Sequence, residues 1–167
     1  MVTKNQYKYR DKIYSIVNCT KEDIPSHIER VSSYWKDYGV DFDTQTELLE
    51  ESVEGGNAYK LVDTDGNLYA CAYLLPAEPE IAQAVLGWFH TKIAYAIGCF
   101  FARTALGLRI VTLMPHTTNF IPYRFTIDEN SIRSFHDLGT PLVIRLHDKK
   151  NITLYKEKFR DKGVKVL

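Results

Sequence analysis

The stretch that most restricts the fold is Pro79 to Gly107, PEIAQAVLGWFHTKIAYAIGCFFARTALG. It is long and unusually apolar, so it must be buried. Lys92 and His90 interrupt it, and no clean window of about 18 apolar residues survives, which argues against a membrane span. Pro79 and Glu80 suit a helix start and Gly107 suits its end. Two readings fit: one buried helix, or a strand around Val85 to Phe89 followed by a helix from Lys92.

The rest of the chain must cover this segment. Lys12 to Asn18 reads as a strand. Thr20-Lys-Glu-Asp23 resembles a capping box, and Ile24, Ile28, Val31 and Trp35 are spaced as one buried helical face. Thr44-Gln-Thr-Glu47 has a second capping pattern, opening a helix to about Glu54 that Gly55-Gly56 ends. Asn57 to Asp63 and Leu68 to Leu75 flank Asp65-Gly66, a strong signal for a β-hairpin. Leu108 to Met114 reads as a strand, Phe120 to Ile127 as an extended piece broken by Pro122, and a short helix is expected from Ser131. Gly139 to Leu167 reads as strand, helix and strand. Leu142 to Leu146 is the first strand, and Asn151 can cap the helix. Ile152, Tyr155 and Phe159 share one helical face, and Gly163 precedes a last strand from Val164. Residues 1–11 look like a loose basic arm, and residues 1–167 like a single domain.

Charge is balanced overall, with 21 Lys and Arg against 21 Asp and Glu. Nothing global points to nucleic acid, and the basic tail has few free aromatics to interleave with bases. Locally, residues 22–80 hold fourteen carboxylates against three Lys or Arg. An acidic half can attract cationic substrates, or it can simply be a solvated face. Cys19, Cys71 and Cys99 are too widely spaced for a disulfide framework or zinc, and the five histidines lack ligand spacing, so no metal is expected. Buried thiols and the absence of an apolar leader suit a cytoplasmic protein.

The final segment resembles the C-terminal end of the GCN5-related N-acetyltransferase (GNAT) family, in which a strand is followed by Asn, then a helix with Leu-Tyr, then Gly-Phe. Here those positions are Asn151, Leu154-Tyr155 and Gly163-Val164. The early strand with its Glu22-Asp23-Ile24-Pro25 helix start, and the order β, α, α, β, β, agree with the same family. The resemblance implies an α/β (α+β) fold, a GNAT-like mixed central sheet flanked by helices. It implies an acyl-CoA-dependent N-acyltransferase using acetyl-CoA or another acyl-CoA, with an amine-bearing small molecule or protein as acceptor. Tyr155 would protonate the departing thiolate, and Asn151 would bond the pantetheine arm. The simpler roles are a core tyrosine and a helix cap.

A base for the amine is sought near the third and fourth strands, where Glu78, Glu80 and His90 are candidates. The family's glycine-rich pyrophosphate loop is replaced by His90-Thr91-Lys92-Ile93-Ala94-Tyr95, leaving Thr91 and Lys92 as phosphate contacts. The departure suggests an alternative: a catalytically inactive GNAT-like binding or inhibitory protein acting on a protein partner.

Overall fold

The computed structural model describes residues 5–35, 39–114 and 126–167. The described strands are β1 (Asn5–Tyr9), β2 (Lys12–Asn18), β3 (Ala58–Asp63), β4 (Leu68–Glu78), β5 (Ile81–Phe89), β6 (Ile110–Leu113), β7 (Leu142–Arg145) and β8 (Lys165–Val166). The helices are α1 (Ile24–Trp35), α2 (Phe42–Glu54), α3 (Lys92–Thr104), α4 (Glu129–Leu138) and α5 (Lys149–Lys156). The strands form one mixed sheet in the order β7-β6-β5-β4-β3-β2-β1-β8. The sheet flanked by helices, with the order β2-α1-α2-β3-β4-β5-α3, is the GNAT-like α/β architecture that the resemblance implies.

Every described pair is antiparallel except β5 with β6. A parallel pair needs a crossover, and α3 supplies it. The run from Pro79 therefore folds as strand then helix. Among the described residues, no helix is long and apolar enough to cross a membrane.

Both faces of the sheet are covered. Cys19, Ala58, Cys71, Tyr73 and Val85 pack against Ile24 and Val31 of α1 and Leu49 of α2. On the other face Tyr14, Ile16, Leu61, Leu74 and Ala82 pack against Ala94, Ile97 and Phe101 of α3. Leu154 of α5 joins Tyr95 and Ala96 of α3 in a smaller cluster. Phe159, in the π-helical turn Glu157–Asp161 after α5, stacks on Phe100 at 4.3 Å.

The hairpin forms where Asp65-Gly66 places it, and Gly66 takes φ +82. Asp63 anchors it, accepting from the backbone N–H of Asp65 and Asn67 and from the Tyr69 hydroxyl. These bonds, led by that from the Asn67 side chain, hold the Asp63 carboxyl below its ordinary range. Cys19 and Cys71 are buried free thiols, and Cys99 is half-buried.

Several expectations change. Residues 1–11 are not a loose arm throughout: Asn5–Tyr9 is a strand between β2 and β8, with Tyr7 only 1% exposed. Its single buried tyrosine among polar residues hides the alternation. α2 begins at Phe42, capped by Asp41, whose carboxylate accepts from the backbone of Asp43 and Thr44. Asp128 likewise caps α4, which begins at Glu129, two residues before Ser131. β8 returns to β1 at the far edge of the sheet from β7. Most of Phe120 to Ile127, with His116, lies outside the described residues, as does the Trp35 side chain.

Candidate functional site

The parallel ladder of β5 and β6 runs from Ile81↔Ile110 to Ala84↔Leu113. β5 then continues to Phe89 and feeds α3. Within that extension, Tyr73 faces Val85 while Cys71 faces Trp88, so three steps on β5 match two on β4. This is a β-bulge at Leu86-Gly87. It turns Leu86 onto the α1–α2 face beside Val85 and forces Leu86 to φ +47. A leucine there stores about 1–3 kcal/mol of strain.

His27 of α1 holds the bulge. Its Nε2 lies 2.6 Å from the Leu86 carbonyl oxygen. A carbonyl only accepts, so Nε2 carries the proton and Nδ1 is bare. Nδ1 is buried and has no hydrogen-bond partner. Burial first, with a smaller push from the nearby Arg30 guanidinium and against the bond to Leu86, brings the ring pKa down to about 4.

One turn along α1, the Arg30 guanidinium lies over the Trp88 ring at 4.9 Å. His90 stacks with the same ring at 6.1 Å and 19°. Next in the chain, Thr91 caps α3, its hydroxyl accepting from the Ala94 N–H at 3.1 Å. Lys92 is exposed at the first helical position. The first turn of α3 thus presents backbone donors, the positive end of a helix and a lysine together. His90, Thr91 and Lys92 are brought to one place.

The other candidates lie elsewhere. Glu80 precedes β5, at its opposite end, roughly 30 Å away by strand rise. There Arg109 donates to the Glu80 carbonyl, Leu146 donates to the Arg109 carbonyl, and the Tyr155 hydroxyl donates to the Leu146 carbonyl at 3.3 Å. Tyr155 is 4% exposed, and burial raises its pKa well above the usual phenol value. The side chain expected as an acid facing a cleft is instead packed shut, because Phe100 and Arg103 of α3 close over its ring.

Asn151 does not cap α5, since that position is Asp148. Its amide donates to the carbonyls of Thr126 and Arg145, and its Oδ1 is buried without a partner. A shallow open groove along the outer side of α5 is lined by Asp148, Lys149, Lys150, Thr153, Leu154 and Glu157. The acidic residues of α2, Glu47, Glu50, Glu51 and Glu54, are solvent-exposed, and Glu54 pairs with Lys21 at 2.7 Å.

Three residues at this end of β5 were not singled out from the sequence: His27, Arg30 and Trp88. One signal pointed to the first. His27 falls within the apolar stripe of α1, where a polar ring must find a buried partner.

No family model matches the chain, and no curated protein matches it. Two solved structures are similar to it. One is N-acetylglutamate synthase from Neisseria gonorrhoeae, complexed with coenzyme A and L-arginine. It is 19% identical over 81% of this chain and 34% of that chain, with a TM-score of 0.48. The other is RimJ of Mycobacterium smegmatis in complex with CoA-disulfide, 13% identical over 74% of this chain and 70% of that chain, with a TM-score of 0.43. The chain thus spans about a third of the synthase's length. The likeness is one of fold.

Proposed function

We propose that this protein is a cytoplasmic acyl-CoA-dependent N-acyltransferase whose site is the C-terminal end of β5. One observation carries the reading. In a sheet otherwise antiparallel among its described strands, the parallel pair stops at Ala84 and Leu113, while β5 runs on, bulged, into the first turn of α3.

The residues fit the anionic part of a coenzyme A in charge and donor set. The first-turn N–H groups of α3 and the Lys92 ammonium face phosphates favourably. Glycines are absent from this turn, so Lys92 supplies charge where backbone approach is limited. An acyl-coenzyme A, acetyl-CoA or another, supplies an activated thioester. His90, exposed at the same end, would take the proton from the incoming amine as the C–N bond forms; the thioester C–S bond would break, and the coenzyme A thiolate would leave to be protonated by solvent. Glu80 and Tyr155 have no part in this scheme, since both belong to the far end of β5.

A second reading is a non-catalytic binding or inhibitory protein on the same fold. The glycine-free turn before α3 and the committed Tyr155 hydroxyl favour it.

Calorimetric titration with acetyl-CoA tests the first reading. Saturable binding is expected, weakened about 10- to 100-fold in Lys92→Glu, as loss of a charge-assisted contact would do. No binding at millimolar cofactor overturns it. Binding without thiol release across a panel of amines selects the second reading.

A further inference from the structure

We infer that Arg30 is a carboxylate-binding residue, so that the amine acceptor is an amino acid carrying its own carboxylate. The identity of the amine rests on the acyltransfer reading; the carboxylate site does not.

Arg30 has a donor that nothing among the described residues uses. Its Nη1 is buried and has no hydrogen-bond partner. Among the described residues it makes no ion pair. This occurs in the most acidic part of the chain. Lys60, the other described cation between residues 22 and 80, is committed to Asp23 at 2.9 Å. Arg109 and Arg145 each have a carboxylate partner. Arg30 instead lies over Trp88, which holds its plane while leaving a donor unused. A guanidinium N–H buried without an acceptor is costly, and the cost is recovered when an acceptor arrives.

The chemistry of the missing acceptor follows from the donor. A guanidinium is a planar fork, always charged, and matches a carboxylate in two parallel bonds. The neighbouring groups set the scale. Arg30 and His90 both touch Trp88, at 4.9 and 6.1 Å. One small molecule with a carboxylate on Arg30 and an amine toward His90 spans that indole. The bulge held by His27 presents Trp88 on the same face.

The test uses the full chain in a Trp35→Phe background, leaving Trp88 as the sole tryptophan. Its fluorescence is titrated with glycine, β-alanine and 4-aminobutyrate, and in parallel with ethanolamine and putrescine, which lack the carboxylate. Saturable responses are expected from the amino acids alone. Arg30→Gln should weaken them at least about 10-fold, the loss of a charged hydrogen bond, with acetyl-CoA affinity unchanged. Arg30→Lys should fail to restore them, since an ammonium lacks the fork. Equal responses to ethanolamine, or amino-acid responses that persist in a folded Arg30→Gln protein, overturn the inference. Acetyl-CoA titrated into the same samples separates the two claims. Cofactor binding without amino-acid binding sinks this inference alone, and the reverse sinks only the proposed acyltransfer.

Discussion

The two ends of β5 are built on opposite terms. At the N-terminal end the backbone of Glu80, Arg109 and Leu146 is hydrogen-bonded in succession, and Tyr155 and Asn151 donate into the same lattice. At the C-terminal end the chain carries a leucine at positive φ, a histidine with a bare buried nitrogen and an arginine with an unused donor. The first end uses most of its polar groups on itself, with Asn151 Oδ1 and His147 Nδ1 left without a partner. The second holds them ready at a cost in stability, as ligand sites commonly do. The tyrosine picked out by resemblance belongs to the first kind, and the lysine and histidine before α3 belong to the second.

This contrast can be broken by experiment. The largest expected effect is on pH dependence at the open end. Unfolded His27 takes up its proton near 6.5 and the folded ring only near 4. His27 therefore contributes its full stability above pH 6.5 and loses it as pH falls toward 4, a change of about 3 kcal/mol. Chemical denaturation between pH 7 and 4 should show this loss, and His27→Gln should flatten it. An unchanged slope would mean that His27 does not pin the bulge.

Asn151→Ala removes two hydrogen bonds at the closed end, those to the Thr126 and Arg145 carbonyls, of which the second still accepts from the Asp148 N–H. It should cost about 2–3 kcal/mol of stability, measured by urea unfolding. Cofactor affinity should not move. Lys92→Glu should do the reverse, costing about 2 kcal/mol of acetyl-CoA binding with unchanged unfolding. The smallest effect is that of Tyr155→Phe. Loss of one bond to Leu146 should cost about 1 kcal/mol of stability and leave thiol release at its original rate. A turnover defect there would return Tyr155 to the site and erase the contrast.

Much of the fold was legible because periodicity and turn chemistry agree. The Asp65-Gly66 hairpin, the α1 stripe from Ile24 to Val31 and the strand-then-helix option for Pro79 to Gly107 all follow from local pattern. β1 was not legible, since Tyr7 is its one fully buried residue and its partners β2 and β8 come from both ends of the chain. Nor was the bulge. It depends on register between β4 and β5, and Leu86-Gly87 carries no local mark of a leucine in the left-handed region. Thr91 and Lys92 could be placed from helix-start chemistry alone. Tyr155 could not, because its helical spacing is the same whether its hydroxyl meets solvent or Leu146.

The most direct test of the central claim is amide chemical-shift mapping of the protein titrated with acetyl-CoA. Perturbations are expected to concentrate from Val85 to Tyr95, with Leu146 to Tyr155 unmoved. Shifts concentrated instead at Leu146 to Tyr155 would contradict that claim and place the cofactor at the end of β5 that this structure shows closed.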